Sequence, residues 1–273
     1  MVHQMSLSAK VAATLLILVF LGGLLAGALT PNRYDQQFRD SISAPPSRQF
    51  PLGTDELGRD RLARLLYGTR ISLLLAPAAA LISTLLAACV GGLAGFLGAR
   101  AERLLLSATD LFLALPWLFL LIAVRAVLPL NVSPLASVSI TFLLLGCLGW
   151  AQSARLVRAA TREIVTSGFV LQARLTGTHP VRLFWRHLLP NLKPILIAQF
   201  WVSIPMFIIG EANLGLLGLG VAEPLPSWGS LLRDLENYSA VLANPWMLAP
   251  VGLLIVVVSC FQITLAQQGE HHS

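Results

Sequence analysis

The chain has 273 residues, of which 56% are hydrophobic and 12% charged, and its formal net charge is +6. A soluble domain carries about 25% charged residues, whereas the mean hydropathy here is +0.74. These values exclude an ordinary soluble protein. They predict an all-α polytopic membrane protein, because a helix satisfies its own backbone polar groups inside hydrocarbon.

Six apolar stretches are long enough to cross a bilayer, which takes about 20 residues per helix. They are Val11–Leu29, Ile71–Leu97, Leu104–Leu128, Pro134–Ala151, Pro194–Leu217 and Trp246–Gln267. The first run follows Lys10 and ends in Ala26-Gly27-Ala28, a pattern that also suits a cleaved signal peptide. It is longer than the roughly 7–15 apolar residues of such a signal, so we predict an uncleaved span.

The spans divide the chain into an N-terminal helix (1–30), a loop (31–70), a five-helix core (71–267) and a short tail (268–273). The core includes two longer loops, at 152–193 and 218–245. Arg100 and Arg103 lie between spans 2 and 3, whereas the turn at Pro129–Ser133 has no basic residue. The positive-inside rule therefore predicts that both termini and loop 152–193 are cytoplasmic.

The remaining charges and the cysteines have plain explanations. Basic residues lie in loops and form no aromatic-interleaved or base-reading motif, so we expect no nucleic-acid partner. Cys89, Cys147 and Cys260 lie within predicted spans and resemble small apolar residues there. Arg125, near the end of span 3, is expected to extend its charge to the membrane interface.

Prolines occur within four of the predicted spans, at Pro77, Pro116, Pro205 and Pro250. Each removes a backbone donor, so we expect a bend or break at each position. The pattern leaves open whether these bends serve packing or the movement of pore helices.

The segment Gly168–Asn191 has the apolar spacing of two short amphipathic helices. One apolar face comprises Phe169, Val170 and Ala173, and the other comprises Leu183, Phe184 and Leu188. Gly177 is placed to end the first helix and Pro180 to begin the second. The spacing alone allows two interpretations: a pair of helices lying on anionic headgroups, or a projection that contacts a partner protein.

A resemblance to a known family favours the second interpretation. The residues Phe169-Val170-Leu171-Gln172-Ala173-Arg174-Leu175-Thr176-Gly177, followed by Arg186-His187-Leu188-Leu189-Pro190-Asn191, resemble the cytoplasmic EAA loop of ABC importer permeases. In that family the loop docks on the ATP-binding cassette subunit. The resemblance implies that the coupling residues are Phe169, Val170, Gln172, Ala173, Arg174, Gly177, Arg186, His187, Pro190 and Asn191.

Two further motifs extend the resemblance to about residues 50–250. The stretch 52–72 is similar to the segment ahead of span 2 in the second permease of peptide and nickel importers, and its matching residues are Gly53, Thr54, Asp55, Gly58, Arg59 and Asp60. The stretch 211–229 is similar to the region after span 5 of the same subunit. It supplies the pore or gate candidates Glu211, Gly218, Gly220, Trp228 and Gly229.

The resemblance implies a permease subunit of a binding-protein-dependent ABC importer in the bacterial inner membrane, forming half of a pathway for peptides, or for nickel or its chelates. The implied partners are cassette subunits, a second homologous permease and a periplasmic or lipid-anchored substrate-binding protein, with membrane lipid around the spans. ATP and Mg would be bound by the cassettes. In agreement, the only lysines are Lys10 and Lys193, and neither completes a phosphate-binding loop. We expect no catalytic residue and no cofactor in this chain.

Several polar residues have alternative explanations. Asp55–Arg59 and Asp60–Arg64 are spaced i,i+4, so a helical surface with ion pairs is simpler than a cation site. Glu211 is either a pore or gate residue or a hydrogen-bonded residue that fixes the outer loop. The five histidines, His3, His179, His187, His271 and His272, lack convincing ligand spacing, so we expect no metal site.

Two other classes of membrane protein would carry different sequence patterns. A self-contained channel or secondary transporter is expected to carry a mid-membrane ionisable constellation or inverted repeats with broken helices. A membrane-embedded enzyme needs a nucleophile, a base or a metal motif such as H-E-x-x-H. Neither pattern is clear in the sequence, whereas the resemblance implies an importer permease.

Overall fold

The structure is a computed structural model that describes residues 6–128 and 132–270. Its regular elements in these ranges are helices, apart from two isolated β-bridges, Gln37–Arg59 and Thr54–Asp60. His3, His271 and His272 lie outside the described residues, as do 129–131 of the predicted turn and the end of the predicted tail.

Thirteen α-helices are found in the described ranges, interspersed with three short helical turns. The α-helices are α1 (Leu7–Leu24), α2 (Ala26–Leu29), α3 (Arg61–Phe96), α4 (Ala99–Ala114), α5 (Trp117–Val127), α6 (Pro134–Leu148), α7 (Ala151–Val165), α8 (Gly168–Leu175), α9 (Pro180–Leu183), α10 (Leu189–Leu216), α11 (Trp228–Arg233), α12 (Tyr238–Ala243) and α13 (Ala249–Glu270). A π-helical turn occupies Phe184–Leu188, and 3₁₀ turns occupy Asp234–Glu236 and Pro245–Leu248.

Five helical stretches in the described ranges are long and apolar enough to cross a membrane. They are Leu7–Leu24, Arg61–Phe96, Pro134–Val165, Pro180–Leu216 and Pro245–Gln267. The pair α4 and α5 is bent by 82°, and counting it as one broken span gives the predicted six. The break falls at Pro116, which lacks the N–H that would continue a helix.

The other three prolines do not break their helices. Helices α3 and α10 continue through Pro77 and Pro205. Pro250 is the second residue of α13, a position in the first helical turn where the ring is tolerated. Arg125 is buried within the chain.

The chain forms two compact units. The first contains the described residues within 1–76, 126–142 and 208–273. In it α1 packs along α13, and the backbone N–H of Ser6 donates to Oε1 of Gln267 (3.1 Å). Both helices bury few of their side chains within the chain, so most of their apolar surface is left for lipid or another subunit.

The second unit contains 77–125 and 143–207. Its core is formed by Ala87, Ala154, Val157, Leu188 and Leu192. Here α3 approaches α7 closely, because glycines on α3 leave room for the α7 backbone. Small residues at such contacts let membrane helices pack backbone to backbone.

The α3–α7 contact predicts different effects for two neighbouring glycines. A Cβ at Gly91 would lie 2.3 Å from the carbonyl oxygen of Ala154, whereas one at Gly92 would lie 3.7 Å from the Phe184 ring. We expect Gly91→Ala to cost about 1–3 kcal/mol, since backbone must move, and Gly92→Ala to be nearly neutral. Thermal unfolding in mild detergent measures both, and equal melting temperatures would contradict the close contact.

Candidate functional site

Two of the three predicted motifs come together in the first unit. We call residues 53–72 and 211–229 the motif cluster. The first stretch is a loop that runs into α3, and the second joins the end of α10 to the start of α11. The third motif, Gly168–Asn191, belongs to the second unit and is described by itself below.

Asp55 and Arg59 form a buried pair in a turn, not the predicted helical surface pair. Oδ1 of Asp55 accepts the backbone N–H groups of Leu57 (2.9 Å) and Arg59 (2.8 Å). Its Oδ2 accepts Nε of Arg59 at 2.7 Å. Gly58, within this turn, has φ +73° and lies against the carbonyl of Phe38. The i,i+4 spacing therefore predicted the Asp55–Arg59 contact correctly, but the predicted helix is a turn.

Asp60 caps helix α3 and makes no described ion pair with Arg64. Its Oδ1 accepts the backbone N–H of Leu62 (2.9 Å), and its Oδ2 accepts Nδ2 of Asn32 (2.8 Å). A carboxylate at a helix N-terminus satisfies free N–H groups and complements the helix dipole.

The other predicted residues of this motif also anchor the loop. The hydroxyl of Thr54 accepts the N–H of Ala44 (2.9 Å) and donates to the carbonyl of Ser41. Gly53 has φ +69° and lies against the carbonyl of Ala44, where a side chain would collide. The segment before α3 is thus held by polar contacts to residues 41–44.

Glu223 is the residue that links the two halves of the motif cluster, and sequence reasoning missed it. Arg64 donates to both of its oxygens, at 2.9 and 3.2 Å, and Nη1 of Arg59 donates to Oε2 at 2.6 Å. Arg64 has no exposed surface, whereas the Glu223 side chain is about half exposed. The sequence signal for this contact is the opposite charge of the two motifs: 211–229 contains an acidic residue and 52–72 contains arginines.

The electrostatics of Glu223 follow from this geometry. Partial burial by itself raises the pKa of the Glu223 carboxyl. The hydrogen bonds and positive charges of Arg64 and Arg59 outweigh that effect and hold the pKa below its ordinary value of 4.5. Glu223 is therefore a carboxylate at neutral pH.

Glu211 is completely buried, and its contacts favour the second of its two interpretations, a residue that fixes the outer loop. Its Oε2 accepts the backbone N–H of Gly229 (3.3 Å) and the hydroxyl of Ser72 (3.4 Å). The same Ser72 hydroxyl accepts the N–H of Trp228 at 3.4 Å. Glu211 thus ties α10 to the first turn of α11 and to α3.

Close backbone contact surrounds Glu211. A Cβ at Gly215 would lie 2.3 Å from Cα of Gly229, and one at Gly220 would lie 2.7 Å from Cα of Gly215. The buried Trp228 donates its Nε1 to Thr69 at 3.0 Å. Gly218, with φ +71°, ends α10 beside Arg233. The pore or gate candidates are therefore packed together at the end of α10.

The predicted coupling segment, Gly168–Asn191, has the two predicted helix boundaries. Helix α8 ends before Gly177, whose φ is +78°. The N–H of Gly177 bonds to the carbonyl of Arg174 and that of Thr178 to the carbonyl of Ala173, both at 3.0 Å, which closes the helix end. Helix α9 begins at Pro180, but the second helix is not separate, because it continues through the π turn into α10.

The predicted apolar faces of this segment are only partly buried. Val170, Leu183 and Leu188 are buried, Phe184 is half-buried and Phe169 is exposed. The exposed predicted residues are Gln172, Arg174, Gly177, Arg186, Pro190 and Asn191, while Ala173 and His187 are half-buried. The guanidinium of Arg174 lies 5.9 Å from the centre of the Phe96 ring, a cation–π contact with α3.

An unpredicted ion-pair group lies on the helix that leads into this segment. Arg158 of α7 donates through Nε to Oε1 of Glu102 (2.8 Å), and Arg162 of α7 bonds to the other carboxylate oxygen. Glu102 is buried in the first turn of α4. These ion pairs fix the N-terminal turn of α4 to α7, the helix that precedes α8 in the chain.

The described residues contain no group of three or more His, Cys, Asp or Glu side chains that could hold a metal ion. The contacts above are hydrogen bonds, ion pairs and close backbone packing. Their arrangement positions helices and loops relative to one another.

The fold is that of a polytopic α-helical membrane protein. The family described as binding-protein-dependent transport system inner membrane component matches residues 65–268. The match covers well over half of the chain, and the chain belongs to this family. It is therefore a multi-pass inner-membrane permease subunit.

The chain aligns with peptide permeases of several bacteria over nearly its whole length. The chain is 36% identical over 261 residues to a di/tripeptide transport system permease protein of Pseudomonas aeruginosa (strain UCBPP-PA14), covering 93% of this chain and 83% of the relative. It is 31% identical over 259 residues to an oligopeptide transport system permease protein of Bacillus subtilis (strain 168), covering 93% and 81%. An oligopeptide transport system permease protein of Mycobacterium tuberculosis (strain ATCC 25618 / H37Rv) is 34% identical over 250 residues, covering 91% and 84%.

The Arg64–Glu223 contact predicts a pH-dependent stability. We expect Glu223→Gln to lower the free energy of unfolding at pH 7 by about 1–3 kcal/mol, because buried Arg64 loses its charged partner. The wild-type contribution is present above the ordinary pKa of 4.5 and is lost as pH falls through the lower pKa of the folded protein. Melting temperatures of both proteins should therefore converge in acid.

Glu56→Gln is the matched control, since Glu56 is exposed and accepts only from Nδ2 of Asn237 (3.0 Å) among the described contacts. Its melting temperature should stay near that of the wild type at every pH. A Glu223→Gln protein as stable as this control at pH 7 would refute the linking role.

Glu211 gives a separate test. Glu211→Gln should preserve stability and uptake, because an amide oxygen can still accept from Gly229. Glu211→Leu should cost about 1–3 kcal/mol, since the buried Gly229 N–H loses its acceptor. Thermal unfolding and uptake are measured together, and a stable Glu211→Gln protein without uptake would instead assign the carboxylate a role in transport.

Proposed function

We propose that this chain is one permease subunit of a binding-protein-dependent ABC importer of peptides, and that it lines half of the translocation pathway. The relatives, which are di/tripeptide and oligopeptide permeases, support the peptide substrate. A second homologous permease would complete the pathway, and a substrate-binding protein would deliver the peptide from outside. Both termini lie in the cytoplasm in this proposal.

The exposed apolar surface of the predicted coupling segment carries the coupling part of the proposal. Leu175 is 89% exposed and Trp185 is 64% exposed, in a stretch that also presents Arg174 and Arg186. Exposed aromatic and aliphatic side chains beside arginines are typical of protein interfaces. ATP hydrolysis would occur in a separate cassette subunit docked here.

Coupling follows from rigid attachment. Helix α9 continues through the π turn into α10, so a displacement of the segment is passed to a long candidate span. Helix α8 is closed at Gly177 and follows α7, which is held to α4 by Glu102. Cassette movement would therefore shift whole helices, to the extent that nucleotide binding favours one arrangement.

The experiment compares Gly177→Val, Gly177→Asn and Gly168→Ala in the complete transporter. A β-branched residue is strained at φ +78°, whereas Asn tolerates this region. Neither Gly177 nor Gly168 has a neighbour within 4 Å of an added Cβ, so backbone strain alone separates the variants. We expect Gly177→Val to reduce ATP-driven peptide uptake and cassette co-purification at least tenfold.

Membrane insertion of Gly177→Val should be unchanged, and the Asn and Gly168→Ala variants should work normally. Normal uptake by an inserted Gly177→Val variant would refute the assignment of the segment to cassette coupling. Recovery of the chain from native membranes without any cassette subunit would do the same.

A further inference from the structure

A groove runs between α3 and α10 in the second unit. Its volume is about 560 Å³, and eight of its ten lining side chains are apolar, among them Leu81, Leu85, Ile197 and Phe200. Both helices are candidate membrane spans. The groove therefore lies on a surface at membrane depth, and its shape suits a flexible apolar chain.

The lining of this groove on α10 includes one positive charge, a turn beyond Leu189 and Pro190. Lys193 lines the groove, is exposed, and makes no ion pair with a described carboxylate. The predicted span begins at the next residue, Pro194, so the predicted topology puts the Lys193 ammonium near the membrane interface. The other polar lining residue, Thr84, has a hydroxyl without a hydrogen-bond partner in the described part of the chain.

We propose that the groove binds an anionic phospholipid, with one acyl chain between α3 and α10 and the phosphate on Lys193. An apolar groove with one cation in its lining is complementary to a negatively charged amphiphile. The inference rests on the proposed topology, which puts Lys193 in the cytoplasmic leaflet, where anionic lipids attract basic residues at the membrane surface. Thr84, one turn from Ala88 along α3, adds a hydroxyl to the lining of the same groove.

The test uses phosphatidylglycerol and phosphatidylcholine that carry a photoactivatable group in one acyl chain. Each is reconstituted with the full-length chain in its purified complex, and labelled peptides are identified by mass spectrometry. We expect phosphatidylglycerol to label 81–88 and 196–200 about fivefold more than phosphatidylcholine, a ratio equivalent to one lysine near the membrane surface.

The two lysines of the chain provide a matched pair of variants. Lys193→Gln should reduce phosphatidylglycerol labelling of the groove to the phosphatidylcholine level, and Lys10→Gln should leave it unchanged. Ala88→Trp, which fills the groove, should abolish labelling by both lipids. Equal labelling by both lipids in the wild type, or no effect of Lys193→Gln, would overturn the proposal.

Absence of labelling by either lipid would also overturn it and would indicate that another subunit covers the groove. Peptide uptake is measured on the same preparations. Because the Gly177 variants test cassette coupling independently, failure of the lipid site would leave the proposed transport function standing.

Discussion

The bidentate contact between Arg64 and Glu223 is the interaction on which the first unit depends. Arg64 has no exposed surface, so its charge is tolerable there only because carboxylates lie against it. The contact joins the first turns of α3 to the loop after α10. That loop in turn carries Trp228 and Gly229 to Ser72 and Glu211, which explains why two distant stretches of sequence form one cluster.

The second unit is likewise held together by close packing and by ion pairs. Gly91 lets α3 and α7 meet at backbone distance, and Glu102 forms ion pairs with two arginines of α7. These contacts hold the base of the exposed segment, while Leu175 and Trp185 remain uncovered by the chain itself. A rigid base with an exposed apolar tip is what a subunit requires if it is to receive movement from a partner and pass it to membrane helices.

Local backbone chemistry is enough to predict some helix ends and one helix break from the sequence. The cap at Gly177 and the start of α9 at Pro180 follow from backbone preferences that depend on few neighbours. The break at Pro116 follows from its missing N–H. By contrast, the spacing of Asp55 and Arg59 predicts a helical ion pair that the structure places in a tight turn, because i,i+4 spacing alone does not distinguish a helical turn from a loop.

The sequence by itself determined the membrane class, the number of spans with the bent pair counted as one, and the helix ends at Gly177 and Pro180. These depend on composition and on short-range backbone sterics. Only the tertiary structure decided that Glu223 pairs with Arg64, that Glu211 is held by Ser72 and Gly229, and that Glu102 binds the α7 arginines. Such contacts join residues far apart in the chain, and their partners are set by how the helices pack and not by any local pattern.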